Sequence, residues 1–314
     1  MPLSKKESLR PIAVDAMGGD LAPVSVIRGI IDATHQGLGP VLLYGNRKQL
    51  EPLIQGLGGL PPTVELRDSG PVIEMADPAT WAARTKQGSS IHLGISAVQS
   101  GEARAFFSAG NSAAVVTIAS LTLKRLEGCA RPAIVGFMPS VREPVVLVDM
   151  GANTKVKSLS LAQFAVLGDC FARVALGKEN PRLGLLSNGA EESKGTDTLR
   201  RANELLRGLD LNYIGYVEAN VLPKGSCEVV ICDGFVGNVV LKLSEGIIEA
   251  LAQRLRELTG ESFQSRLGLG LLQGQLRTEA ARLDWRGIGG APLLGLDGLC
   301  VLSHGSADAE AITA

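Results

Sequence analysis

Cysteine, histidine and aromatic residues are scarce in this sequence, and each scarcity removes a class of chemistry. The five cysteines, Cys129, Cys170, Cys227, Cys232 and Cys300, have no C-x-x-C spacing, and an odd count in a chain of 314 residues argues for reduced thiols. Neither a disulfide frame nor a structural zinc is expected. The three histidines, His35, His92 and His304, are not spaced as metal ligands. Aromatic residues make up 4% of the chain and 31 basic residues meet 32 acidic ones, so no stacking platform and no global field recruit nucleic acid.

Familiar nucleotide and nucleophile motifs are missing as well. No G-x-G-x-x-G follows a strand with an acid downstream, and there is no G-x-x-x-x-G-K-[ST] and no G-x-S-x-G. The series Gly268, Gly270, Gly274 lies in a leucine-rich stretch instead. Residues 1–10 are polar, without the apolar core of a secretory signal, and read as a flexible lead-in. The longest apolar run, AAVVTIASLTL from Ala113, is shorter than the ~20 residues of a membrane-crossing helix. A cytoplasmic protein with no metal and no cofactor is expected.

Glycine is plentiful, with 38 in the chain, and its placement is informative. Short β-branched runs (IAVDA, VLLYG, ARAFFSAG, AIVGFM, VVLVDMGA, RLGLLSNG, VVICDGF, LCVLSHG) alternate with amphipathic helical stretches such as SVIRGIIDATHQ and DTLRRANELLRGL. This alternation predicts an α/β fold with a mainly parallel sheet. Five strands stop in similar turns: DAMGGD, SAGNSA, DMGANT, LSNGAE and CDGFVGN. Open parallel sheets bind ligands outside the carboxyl ends of their strands, where helix N-termini offer free N–H groups to anions. An anion-binding cleft without an evident covalent nucleophile suits direct attack of a bound anion on an activated acyl group. His35 and His92 read as partly exposed helix residues, whereas His304, in SHGSAD, is placed where a loop can face the cleft.

The ordered blocks AVDAMGGD, SAGNS, DMGAN, ESKG, CDGFVGNVVLK, GGAPLLG and HGSAD, from Ile12 to the end of the chain, resemble the PlsX family of bacterial phosphate acyltransferases of phospholipid synthesis. The resemblance implies a three-layer α/β/α sandwich over 11–314, related to phosphate acetyltransferases and to isocitrate and isopropylmalate dehydrogenases, and a homodimer. It implies transfer of a fatty acyl group from acyl carrier protein to inorganic phosphate. The acyl phosphate then serves the glycerol-phosphate acyltransferase of the membrane. Two other readings stay open: a short-chain phosphate acetyl- or butyryltransferase using coenzyme A, and a non-catalytic scaffold on the same fold.

Under this resemblance Lys194, in ESKG, is the candidate catalytic cation that holds phosphate or steadies the oxyanion. Beside Glu191 and Glu192 it is equally readable as an exposed ion pair, worth ~0–1 kcal/mol. Asp233 and Asn238 frame the DGFVGN turn with Gly237 and are candidates to orient phosphate or the acyl carbonyl. Gly110, Asn111 and Asn153 are candidate substrate-cleft residues, with helix capping as the alternative for the asparagines. Arg84, Lys86, Ser89 and Ser90, in ARTKQGSS, match a basic stretch of the family and are candidate phosphate donors. In VDAMGGDLAP, Gly18 and Gly19 are expected to form a tight turn at the cleft. Asp20 is expected to accept from helix amides around Pro23, and Asp15 to orient a neighbouring cation.

The chain also departs from the family pattern. An acid and a Lys-Pro-Glu-His run usually follow GAN; here KVKSLS spans Lys155 to Ser160 and keeps only Lys157, a further substrate-binding candidate. The chain ends soon after HGSAD, where relatives carry a further helix. Residues 247–283 set Phe263, Leu267, Leu269, Leu271 and Leu272 against several arginines. That segment reads as a contact for a membrane interface, for the acidic surface of acyl carrier protein, or for a second copy of the chain.

Overall fold

A computed structural model describes residues 10–261, 271, 272, 274, 275 and 289–314. The lead-in before Arg10 and the candidates Phe263, Leu267 and Leu269 lie outside those residues. The first elements are β1 (Ile12–Asp15), α1 (Val24–His35), β2 (Val41–Gly45), α2 (Arg47–Gly56), β3 (Val64–Asp68), α3 (Ala79–Thr85), α4 (Ser90–Gln99), β4 (Ala105–Ser108) and α5 (Ser112–Thr122). Next come β5 (Ala133–Met138), β6 (Val145–Val148), α6 (Ser158–Ala175), β7 (Leu183–Leu186), α7 (Asp197–Arg207), β8 (Tyr213–Val217), β9 (Val229–Ile231) and α8 (Gly234–Glu261). The last are β10 (Ala291–Leu294), β11 (Leu299–Leu302) and α9 (Ala309–Thr313).

The chain divides into two compact units, Met1–Ile134 with Ile288–Ala314, and Val135–Gly287. In the first, strands run in the order β3-β2-β1-β4-β11-β10, and β10 pairs with the first two residues of β5. The order 3-2-1-4 makes the gap between β1 and β4 a topological switch point, where consecutive crossovers leave on opposite sides and open a crevice. In the second unit the order is β6-β9-β7-β8, with the rest of β5 against β6. The architecture is α/β, a mixed sheet with helices on both sides. The pairings of β1, β2, β3, β4 and β11, and of β6 to β9, are parallel. Those of β5 with β6, β5 with β10 and β10 with β11 are antiparallel.

Local chemistry explains the elements. VLLYG in β2 and VVLV in β6 are buried at every position, the continuous apolar run expected of strands covered on both faces. Helix α1 buries Val26, Ile27, Ile30 and Ala33 and leaves Arg28 and Asp32 outside, an apolar stripe at helical spacing. Helix α7 starts at Thr196, whose side chain accepts from Leu199 N, and carries Asp197 in its first turn. By length and composition α6 passes for a membrane-spanning helix. It instead buries Leu161, Phe164, Ala165 and Ala172 and pairs Arg173 with Asp169 at 2.7 Å, as a core helix does. Leu271 and Leu272 are exposed helix residues.

Candidate active site

Two clusters form at carboxyl ends of strands, one in each unit. In the first, β1 ends at the buried Asp15, directly at the switch point. Its Oδ2 accepts from Ser108 Oγ at the end of β4 (2.7 Å) and its Oδ1 from the Met17 amide (3.0 Å). Ser108 Oγ accepts in turn from Gly110 N at 3.0 Å. Burial pushes the Asp15 carboxyl above its ordinary value, although hydrogen bonds from Ser90, Ser108 and the amides of Met17 and Gly18 pull the other way. Its partners are hydroxyls and amides rather than the cation expected from sequence. Gly18 packs backbone to backbone on Gly110: a Cβ at Gly18 would lie 2.6 Å from Gly110 Cα. The DAMGGD and SAGN turns are therefore locked together, and only glycine permits the approach. Asp20 N donates to Gly305 O at 2.7 Å, which adds the HGSAD turn. Asp20 itself is exposed and α1 begins at Pro23 without a side-chain cap, so the expected capping by Asp20 is corrected.

The other candidates of this unit have specific partners. Asn111 caps α5 through Ala114 N (3.0 Å), and its Nδ2 reaches the carbonyls of Glu74, Met75 and Asp77 at 3.2, 3.1 and 2.9 Å. Ser89 caps α4, and its Oγ lies 2.8 Å from His92 Nδ1. His92 Nε2 faces Ala83 O at 3.0 Å, and since a carbonyl only accepts, Nε2 carries a proton there. His92 is thereby a tethered residue of the α3–α4 pair. Ser90 is buried beside Asp15. Lys86 is paired with Asp77, and Arg84 is exposed at the end of α3. His304 Nδ1 accepts within its own turn, from Ser306 Oγ (2.7 Å) and Ser306 N (3.3 Å).

In the second unit the centre is a residue that the sequence reading quoted but did not nominate, Asp149, fully buried after β6. Its Oδ1 accepts from Gly151 N (3.1 Å) and Ala152 N (3.0 Å), and its Oδ2 from Asn153 N (2.7 Å) and Asn153 Nδ2 (2.9 Å). One carboxylate thus folds the DMGAN turn around itself. Helix α8 starts against this turn: Gly234 N donates to Asn153 O at 2.8 Å, and a Cβ at Gly237 would overlap Asp149 O. Asp233 Oδ1 accepts from Val236 N at 2.9 Å and so caps α8. Asn238 is half-buried beside Gly151. Lys157 is exposed at the start of α6, where it makes no side-chain cap.

Lys194 is exposed, with its stem over Gly189. Glu192 pairs with Arg207 at 2.6 Å, and Lys194 has no ion pair among the described residues. Among the described residues neither Glu191 nor Glu192 forms an ion pair with Lys194, so the reading of Lys194 as an exposed ion pair beside these two glutamates is not met. The thiols supply no nucleophile here. Burial raises Cys232 well above the ordinary thiol value, with Asp149 and Asp233 adding to it, and Cys227 is pushed up to about 11. Ser108 is sealed by its bonds to Asp15 and Gly110. No group of three or more acidic, His or Cys ligands able to hold a metal occurs among the described residues.

Comparison with known proteins fits this arrangement. Residues 11–314 match the family model described as "Fatty acid synthesis protein". The chain is 42% identical over 301 residues to the phosphate acyltransferase of Geotalea uraniireducens and 40% identical over 306 to that of Geobacter sulfurreducens, covering 96% of this chain and 87% of each relative. In structure it is similar to a phosphotransacetylase from Streptococcus pyogenes, with TM-score 0.65, 19% identity and coverage of 98% and 93%. It also resembles a 4-hydroxythreonine-4-phosphate dehydrogenase from Klebsiella pneumoniae, with TM-score 0.53, 14% identity and coverage of 97% and 96%. At those identities the structural likeness speaks for the fold. The class is an acyltransferase built on a mixed α/β sheet, with glycine turns at the carboxyl ends of its strands. Within that class the chain belongs to the PlsX family of phosphate acyltransferases.

Proposed function

We propose that this enzyme transfers a fatty acyl group from acyl carrier protein to inorganic phosphate, giving an acyl phosphate for phospholipid synthesis. It is an acyltransferase with phosphate as acceptor; the carrier protein as donor is the further step. The observation that carries the reading is the chemistry left at the strand ends. The carboxylates at the two strand-end clusters, Asp15 and Asp149, are spent on ordering backbone turns, Cys232 beside Asp149 is a buried thiol held well above its ordinary pKa, and Ser108 is buried with its hydroxyl committed to Asp15.

That chemistry favours direct attack. A phosphate oxygen adds to the thioester carbonyl, forming the C–O bond, and the tetrahedral oxyanion collapses with cleavage of C–S. The carrier thiolate, conjugate base of a weak acid near pKa 8.5, leaves without strong acid help. Ordered N–H donors and a cation stabilise phosphate and oxyanion. We assign the cation to Lys194, assign Asp233 to holding the start of α8, and keep Asn238 and Asn153 as groups orienting the substrate.

The proposed setting is the cytoplasmic face of the membrane. There a homodimer touches lipid through residues 247–283 and hands its product to the glycerol-phosphate acyltransferase. The exposed Leu271 and Leu272 support this, and a Leu271→Asp, Leu272→Asp variant that floats with liposomes as well as wild type would refute it. The function is tested by phosphate-dependent release of free thiol from palmitoyl-acyl carrier protein. Turnover with acetyl-coenzyme A alone would point to the short-chain reaction instead.

A further inference from the structure

Between β3 and α3 runs a strap of residues 69–78, SGPVIEMADP, without regular structure. Glycine and two prolines explain why no helix or strand forms there. The strap is nonetheless fastened at several points. Gly70 N donates to Gly88 O at 2.8 Å, Ile73 is buried, and Asn111 Nδ2 reaches three strap carbonyls. Lys86 Nζ donates to Val72 O (2.7 Å) and to Asp77 Oδ2 (2.6 Å), and the same Oδ2 accepts from Glu74 N (2.7 Å). The ammonium also lies 5.6 Å from the Trp81 ring centroid. Held in this way, the strap sets the Met75 methyl against the HGSAD turn, where a Cβ at Gly305 would come within 2.7 Å of it. The strap thus reaches both the SAGN and the HGSAD turns of the strand-end cluster.

We propose that Lys86 serves the reaction as a positioning residue: through Asp77 it fastens this strap beside the strand-end turns, and it does not itself bind phosphate. The inference rests on the acyl-transfer reading above. Two of the three ammonium protons are already committed, and the lysine and aspartate side chains are only 19% and 16% exposed. A phosphate dianion placed on the same ammonium would meet the Asp77 carboxylate at close range, where like charges repel strongly. Lys86 in turn holds the Asp77 carboxyl below its usual value.

A double-mutant cycle on the full chain tests this, with turnover of palmitoyl-acyl carrier protein and hydrogen exchange of the strap as readouts. Displacing catalytic turns by about 1 Å costs on the order of 100-fold in rate, so Lys86→Met and Asp77→Asn are each expected to lower kcat by roughly 10- to 100-fold. Because the two residues act as one clasp, the double variant falls no further than the worse single. All three variants accelerate exchange over 70–78 while β2 keeps its protection. An Asp77→Asn enzyme with wild-type kcat, beside a Lys86→Met enzyme with a raised KM for phosphate alone, would overturn the proposal and make Lys86 a phosphate ligand. Unchanged exchange over 70–78 in the single variants would also overturn it. If wild type shows no turnover, the acyl-transfer reading fails on its own and the exchange comparison alone decides the clasp.

Discussion

Helix α8 carries two glycines that should respond to the same substitution with opposite sign. Replacing an interior helix glycine by alanine is worth about 1 kcal/mol in favour of folding, because the backbone loses less freedom. At Gly246 a Cβ meets nothing within 4 Å, so Gly246→Ala should gain most of that. At Gly237 the Cβ would penetrate about 1 Å inside the 3.0 Å limit that real Cβ contacts respect toward Asp149 O, and would lie 3.0 Å from Cys232 Sγ. The obstacle is backbone, held by four hydrogen bonds to the Asp149 carboxylate, and cannot rotate away. Overpacking costs about 1–3 kcal/mol, and with a backbone oxygen as the obstacle the upper part of that range applies, above the propensity gain of about 1 kcal/mol.

Thermal unfolding should therefore place Gly237→Ala below wild type and Gly246→Ala above it. The scale is about 2–4 °C per kcal/mol for a unit of roughly 150 residues. The shift of the DMGAN turn should also cost Gly237→Ala on the order of 100-fold in turnover, since displacements near 1 Å have that effect. A Gly237→Ala protein as stable and active as Gly246→Ala would refute the packing of α8 on the Asp149 turn.

Three further outcomes follow from the clusters. Burial raises the Asp15 pKa, so the folded state holds its proton longer than the unfolded chain does; wild type should lose stability as pH rises from 3.8 through the folded pKa. Denaturant melts of Asp15→Asn across that window should lack the loss, and parallel curves for the two proteins would contradict it. Native protein should react with a disulfide reagent at the exposed Cys170 before the buried Cys227, Cys232 and Cys300, and early labelling of Cys232 by peptide mapping would contradict its burial. Lys194→Met should lower kcat/KM by roughly 10- to 100-fold with stability within about 0.5 kcal/mol of wild type, since the side chain is exposed and has no ion pair among the described residues; unchanged kinetics would return Lys194 to the surface.

The elements legible from sequence were those with one strong local signal. Strands buried on both faces, such as β2 and β6, stand out as unbroken apolar runs, and α1 and α7 show helical spacing. VELRD in β3 gives no strand signal because it buries only Val64 at a sheet edge. Gly215 interrupts β8 and Pro292 interrupts β10, and α2 carries Pro52 inside a polar helix. The antiparallel placement of β5 and β10 depends on pairings between distant segments, which periodicity does not encode.

The site was legible in the same measure. Glycine turns at strand ends marked both clusters, and the capping roles of Asn111 and Asp233 are local. Asp149 carries no distinguishing signal in the sequence, because a carboxylate in a glycine turn is ordinary turn chemistry and its four amide donors come together only in the fold. The Lys86–Asp77 clasp joins residues across a helix and a strap without regular spacing, and only the folded chain brings them together.

Direct attack of phosphate on the thioester leaves no acyl-enzyme on the path. Rapid-quench measurement of thiol release from palmitoyl-acyl carrier protein, with enzyme in excess and phosphate left out, tests it most directly. No release is expected until phosphate is added, followed by one acyl phosphate per thiol. A phosphate-independent burst approaching one thiol per enzyme, with palmitate bound to a side chain, would contradict it.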